Sequence, residues 1–303
     1  MKEKPTSRHS HSAHGWLAID KPSGLTSADV VARVKKSFML SRKFKVGHAG
    51  TLDPLATGVL PVALGEATKV VRFVTDKTKE YDVRVKWGES RDTEDSSGKL
   101  IDKTDYVPSE QEIIKALPKF IGEIKQIPPS FSAIKIKGQR AYKLARKNIN
   151  FTLEPRLVRV DSISLINHGS DFSNFSIICG KGMYVRSLVR DLASFLGSLG
   201  YVSVLRRTKV GYFEEELAIS LENLETLGHS AARLDIVLPV DFALADIPAL
   251  ELTKFQAAKL RNGQQVGGSF LGAGIVRAKC GSQLVAMAET DGIWLRPTRV
   301  FNH

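Results

Sequence analysis

From residue 81 to 87 the chain reads Tyr-Asp-Val-Arg-Val-Lys-Trp, with aromatic and valine side chains at one parity and charges at the other. A period of two predicts a half-buried strand of antiparallel type. Comparable apolar runs predict strands over 15–20, 59–64, 157–166, 172–179 and 201–210. Helices show a different period. Val30, Val31, Val34 and Phe38 recur at helical spacing behind Thr26-Ser27-Ala28-Asp29, which has the form of a capping box. Ile113, Ile114 and Leu117 form the inward stripe of a helix over 109–121, and 66–74 reads as the start of another. Val185, Leu188, Val189, Leu192 and Phe195 make a further stripe, with Arg186 and Arg190 four residues apart on the opposite face. Strands interspersed with helices and antiparallel patterning indicate an α/β or α+β catalytic domain. After a compositional shift near 237–248, a short helix over 252–261, a glycine-rich 263–274 and an alternating 275–299 indicate a small β-rich module.

Charge changes this picture more than bulk composition does. At 303 residues, 43% hydrophobic and 25% charged, the chain is an ordinary globular one that fills one large domain or two. Its 44 Lys and Arg against 32 Asp and Glu give a net charge of +12. That excess favours a polyanionic partner, either nucleic acid or an anionic membrane surface. No apolar run approaches the ~20 residues a membrane span needs. Residues 1–14 lack the apolar core of a signal peptide and read as a disordered leader. His9, His11 and His14 have no Cys or carboxylate cluster beside them, and Cys179 and Cys280 have no zinc spacing, so no metal site is expected. The two thiols read as free and buried, in a cytosolic chain.

The basic residues are clustered. Six lie between 33 and 45 without an acid, as a solvated face or a phosphate-contact surface. Seven lie between 125 and 147, again without an acid. That second stretch contains Pro128-Pro129, interleaves Phe131 and Tyr142, and fits a mobile arm that closes on RNA. Residues 241–303 carry only +2 of the net charge. The acidic turn over 92–98 reads as a connector.

The densest stretch is Gly47-His48-Ala49-Gly50-Thr51-Leu52-Asp53-Pro54-Leu55-Ala56-Thr57-Gly58. Its glycines permit positive φ, and Pro54 biases Asp53 towards an extended backbone. A strand and a helix behind it would hold the loop rigid and present Thr51 and Asp53 to a ligand. No Gly-Lys-Ser/Thr closes it, so it is not a Walker loop. On residue types alone it is either plain turn chemistry or a carboxylate site.

The stretch resembles the signature of the bacterial tRNA pseudouridine synthase family that modifies the T-loop uridine. Lys181-Gly182-Met183-Tyr184-Val185-Arg186 is similar to that family's Lys-Gly-x-Tyr-x-Arg motif, and the Pro-Pro opening at 128 to its RNA-gripping insertion. The tail resembles, more loosely, the family's C-terminal β-barrel of PUA type. Ala49 and Met183 depart from the motifs at positions that carry no reacting group. The resemblance implies an α/β (α+β) catalytic domain over 15–240, with a mixed, mainly antiparallel sheet, flanking helices and an arm at 126–147. It implies a PUA-like module over 241–303. It also implies that Asp53 is the catalytic carboxylate, paired with Arg186 so that burial does not simply protonate it. Tyr81 would stack on the target base and handle the C5 proton, and His48 would contact RNA near the flipped uridine. Tyr184 and Leu205 would line the uracil pocket, with Lys69 and Lys181 as phosphate or local charge contacts.

The implied reaction breaks the bond between uridine N1 and ribose C1′, turns the base and rejoins it through C5. It needs a carboxylate, as nucleophile at C1′ or base at C2′, and no metal, redox cofactor or nucleotide. The implied partner is the T arm of tRNA, whose uridine must be extruded. No membrane or obligate protein partner is implied, and the enzyme would act as a cytoplasmic monomer. Two other readings fit part of the sequence. A non-catalytic RNA-binding or chaperone protein would use the basic surfaces without needing Asp53 and Arg186 together. A nucleic-acid glycosylase would share base flipping and the carboxylate but release free base. A guide-RNA-dependent relative that modifies ribosomal RNA has lysine-rich tails not seen here.

Overall fold

The alternation at 81–87 becomes the middle of a large sheet. A computed structural model describes residues 13–227, 232–270 and 272–302. Of the expected leader, 1–12 lie outside the described residues. Ala13 is buried, and the His14 imidazole accepts a hydrogen bond from the Glu66 backbone at 3.1 Å. The chain then forms β1 (Gly15–Lys21), α1 (Ser27–Ser37), β2 (Val46–His48), β3 (Thr57–Leu64), α2 (Val71–Thr75) and β4 (Lys79–Trp87). A small hairpin of β5 (Glu89–Arg91) and β6 (Leu100–Lys103) leads to α3 (Glu110–Ala116) and β7 (Gly122–Gln126). The basic arm follows as β8 (Lys135–Ile136), β9 (Gln139–Arg140) and α4 (Ala141–Arg146). Then come β10 (Arg156–His168), β11 (Phe172–Cys179), α5 (Val185–Phe195), β12 (Gly200–Val210), β13 (Phe213–Glu214), β14 (Ile219–Ser220), α6 (Leu221–Thr226) and α7 (Ala232–Asp235).

Ten strands form one sheet in the order β14-β1-β3-β12-β4-β11-β10-β7, with β2 added to β3 and β13 to β12. The β1–β14 and β3–β12 pairs are parallel and the others antiparallel, so the sheet is mixed and mainly antiparallel. On β4, Lys79, Tyr81, Val83, Val85 and Trp87 are all buried, as the period of two requires. α1 starts at the expected box. The Thr26 hydroxyl accepts from the Asp29 amide at 3.1 Å, and the Asp29 carboxylate accepts from the Thr26 amide at 2.9 Å. Such a cap contributes about 1 kcal/mol. Val30 and Val34 then turn into the core.

Four local expectations change. The helix expected over 66–74 opens as a 3-10 turn, Gly65–Val70, where the Thr68 hydroxyl donates to the Gly65 carbonyl at 2.6 Å. Ile114 is 52% exposed because the two-turn α3 packs only its Ile113 and Ala116 side inward. Phe195 is also exposed, its ring meeting Phe120 edge-on beneath Lys119. Arg186 does not share a solvent face with Arg190. Val185 through Val189 are all buried, so the first turn of α5 has no wet side.

A second sheet has five strands: β15 (Ala249–Glu251), β16 (Val266–Gly267), β17 (Ala273–Cys280), β18 (Gln283–Asp291) and β19 (Trp294–Val300), ordered β15-β17-β18-β19-β16. α8 (Lys254–Arg261) covers it through Ala257 and Leu260, which meet Leu252, Val276 and Ala286. This is the small PUA-like module. One apolar cluster spans both sheets, joining Trp16, Val59 and Phe213 to Val240, Leu284, Met287 and Phe301. The Trp16 indole donates to the Val240 carbonyl at 3.1 Å. Cys179 is buried, which pushes its thiol up to about 12, whereas Cys280 is half-buried rather than buried; both are free. Among the described residues, no helix is long and apolar enough to cross a membrane.

Candidate active site

The loop between β2 and β3 is tied down from several sides. Ser27, at the head of α1, both receives a hydrogen bond from the Leu52 amide at 2.9 Å and donates to the Leu52 carbonyl at 3.0 Å. The Pro54 carbonyl accepts from the Gly24 amide at 2.7 Å and from the Lys21 ammonium at 3.2 Å. Gly50 and Gly58 adopt φ of +105° and +97°. A Cβ on Gly58 would lie 2.2 Å from the Arg207 carbonyl, so glycine is required there by both torsion and space. These restraints fix Asp53 on rigid backbone.

Asp53 opens onto a cavity of about 310 Å³ shared with Tyr81, Ser132, Tyr184, Arg186, Leu205 and Arg207. Its carboxylate is 32% exposed, and Arg186 Nε lies 2.9 Å from Oδ2. Arg186 itself is 3% exposed and joins three segments. Nη1 donates to the Thr93 carbonyl at 2.8 Å and lies 3.8 Å from Asp95; Nη2 donates to the Phe131 carbonyl of the arm at 3.1 Å. Burial pushes the Asp53 carboxyl above its ordinary value. The Arg186 guanidinium opposes this shift, and the nearby Asp95 charge adds to it. Burial likewise raises the phenols of Tyr81 and Tyr184, with Arg207 opposing the rise at Tyr81.

Tyr184 precedes α5, and its backbone is clamped by the buried Gln126 side chain. The Tyr184 amide donates to Gln126 Oε1 at 2.8 Å, and Gln126 Nε2 donates to the Tyr184 carbonyl at 3.1 Å. Leu205 reaches the cavity from β12, next to the parallel pairing with β3. The structure thus brings Asp53, Tyr81, Tyr184, Arg186 and Leu205 to one cavity.

The other three expected site residues lie outside that lining. His48 pairs with Val62 in the β2–β3 ladder, and its buried Nδ1 has no hydrogen-bond partner among the described residues; burial lowers its pKa and favours the neutral ring. Lys181 bonds Asp76 at 3.0 Å and borders a different depression, with Thr78, Glu123 and Arg159. The Lys69 ammonium is taken by Glu66 at 2.6 Å and the Val300 carbonyl at 2.8 Å, so it holds the C-terminal strand.

Four residues near the cavity were not singled out from sequence. Lys21 is fully buried and donates to the carbonyls of Pro22, Leu25 and Pro54; burial lowers its pKa to about 8. Asp95 and Gln126 are buried in segments that read as a connector and the start of an arm. Arg207 is 1% exposed. It shares the parity of Leu205 on β12, and a charge at an inward parity is the signal that could have found it.

A family model described as "TruB family pseudouridylate synthase (N terminal domain)" matches residues 35–185, and one described as "tRNA pseudouridylate synthase B C-terminal domain" matches 186–245. A protein of Rhodospirillum rubrum named tRNA pseudouridine synthase B is 46% identical, across 97% of this chain and 98% of its own length. The chain belongs to the TruB family of pseudouridylate synthases. A relative of the same name from Caulobacter vibrioides is 45% identical across 95% of this chain and 96% of its own. Among solved structures, a Cbf5-Nop10-Gar1 complex contains a chain that matches with TM-score 0.74 at 27% identity, covering 99% of this chain and 88% of that one. A structure of H/ACA RNP bound to a substrate RNA containing 2′-deoxyuridine matches with TM-score 0.73 at 25% identity and the same coverages. The match to the Cbf5-Nop10-Gar1 chain spans both sheets seen here, whereas the family models end at residue 245, before the second sheet.

Proposed function

We propose that this TruB-family chain converts the T-loop uridine of tRNA to pseudouridine in the Asp53 cavity. The observation that carries the reading is the Asp53–Arg186 ion pair at 2.9 Å on a cavity walled by two tyrosines. Asp53 attacks C1′ as nucleophile or removes the C2′ proton as base, and either route detaches uracil through N1. The walls retain the free base while it turns, C5 joins C1′, and the proton leaves C5 as N1 gains one. Arg186 keeps the carboxylate ionised despite burial. Tyr81 stacks on the base and its hydroxyl handles the C5 proton; Tyr184 and Leu205 confine the ring, and His48 stands near the flipped nucleotide. Lys69 and Lys181 serve locally through the partners described above. The enzyme works as a cytoplasmic monomer without metal, redox cofactor or nucleotide. Its catalytic unit is 15–240 and its PUA-like unit is 241–303.

The test uses transcribed tRNA carrying uridine tritiated at C5. The reading expects one equivalent of tritium released into water per tRNA, with RNA mass otherwise unchanged and no free uracil. Free uracil would identify a glycosylase, and binding without release a non-catalytic RNA protein.

Two further outcomes follow. Tyr81→Phe keeps ring and volume, so tRNA affinity should stay within about tenfold, or 1.4 kcal/mol. Product formation in a single turnover should fall far more. A wild-type rate would remove the hydroxyl from the slow step. In the arm, Lys135, Lys137 and Arg140 are exposed. Replacing all three with Ala should reduce the salt slope of tRNA binding by up to ~0.9 per lost phosphate contact. A salt-titrated binding curve with an unchanged slope would take the arm out of the interface.

A further inference from the structure

Arg206 and Arg207 are neighbours on β12 with opposite environments. Arg206 pairs with Asp20 at 3.1 Å and with Glu215. Arg207 turns inward and lines the Asp53 cavity. Its Nε donates to the Val59 carbonyl at 2.8 Å, and its Nη2 donates to the Gly50 carbonyl of the Asp53 loop at 3.1 Å. The register sets Arg207 directly opposite Tyr81 on β4, and both side chains line the Asp53 cavity. Among the described residues, no carboxylate lies within 4.0 Å of it. Main-chain carbonyls accept from its Nε and Nη2 but give its charge no direct ion pair. Burying an unpaired cation costs several kcal/mol, a cost that a purely structural side chain would avoid. Arg186 is the contrast: its charge is balanced by Asp53 and Asp95.

We propose that Arg207 is a positioning residue for Tyr81, fixing its hydroxyl at the cavity wall and stabilising the phenolate that forms as protons move. This rests on the reading in which that hydroxyl handles the C5 proton. After C5 has joined C1′, N1 lacks a proton and C5 carries one too many. The phenol gives its proton to N1 and becomes phenolate. The C5–H bond then breaks, its electron pair restores the C5–C6 double bond as the C6–N1 π pair moves back onto N1, and the proton returns to the phenolate oxygen. No other reactant is consumed. A fixed positive charge beside the oxygen, already in place before the step, is the arrangement that stabilises such a transient anion.

The test places Arg207→Lys in the wild-type and Tyr81→Phe chains and compares single-turnover rate at saturating tRNA with filter-binding affinity. In the wild-type chain we expect at least a tenfold loss of rate with affinity within threefold. In the Tyr81→Phe chain the same change should cost less than threefold, because the group it acts through is gone. Equal losses in both chains, or a loss carried by affinity, would overturn the proposal. A Tyr81→Phe chain with the wild-type rate would instead sink the underlying reading of Tyr81. If Arg207→Lys does not fold, Tyr81→Phe with labelled arginine carries the test. The Arg207 side-chain N–H resonances should shift on loss of the hydroxyl, and unchanged resonances would overturn the proposal.

Discussion

Asp53→Asn is expected to lower the single-turnover rate at saturating tRNA by at least ~10³-fold while affinity changes little. Asn is nearly isosteric, so the loop held by Ser27, Gly24 and Lys21 should keep its shape. Removing the charge removes both nucleophile and base. Binding depends on basic and stacking groups elsewhere, so the loss should fall on the chemical step. The wild-type pH profile gives a second check. Burial places the Asp53 pKa above the ordinary 3.8, so the carboxyl is protonated below that raised value and ionised above it. Rate should therefore rise with pH through a midpoint above 3.8 and then level off. Asp53→Asn should lack that limb. Substantial residual turnover by a folded Asp53→Asn would refute the assignment, and lost binding with an altered circular dichroism spectrum would make Asp53 structural.

Arg186→Met should damage both stability and rate. The guanidinium is 3% exposed and ties Asp53 to the Thr93–Asp95 turn and to Phe131 of the arm. Removing it leaves two carboxylates without their cation, which costs roughly 3–5 kcal/mol in buried pairs. The Asp53 carboxyl then loses the charge that opposes its upward shift. A smaller fraction is ionised at a given pH, so the acid limb of the rate should move to higher pH as the plateau falls by at least ~10²-fold. Chemical denaturation gives the first quantity and a single-turnover pH series the second. Arg186→Lys, which keeps charge but not the fork, should fall between. An Arg186→Met chain of wild-type stability with an unmoved limb would show that the pair at Asp53 does no chemical service.

Much of this was legible locally. The period of two at β4, the Thr26–Asp29 box and the glycine-framed Asp53 loop are written in adjacent residues, and the structure realises each where the sequence places it. What was not legible depends on neighbours distant in the chain. Gln126 became a clamp because β7 ends beside Tyr184, 58 residues later. Arg186 lost its solvent face because the arm and the Thr93 turn cover the start of α5. Ile114 and Phe195 fit a helical stripe by spacing, but short helices bury less than their full stripe. Lys69 lies close in sequence to the Asp53 loop, yet Val300 at the far end of the chain claims its ammonium.

The most direct test compares tritium release from three substrates labelled at uridine C5: intact tRNA, an isolated T-arm hairpin, and tRNA with cytidine replacing the T-loop target. The account predicts one equivalent from the intact tRNA, release from the hairpin, and none from the cytidine substitution, with the new pseudouridine mapped to the T loop. Release that persists after the substitution, or that maps elsewhere in the tRNA, would contradict it.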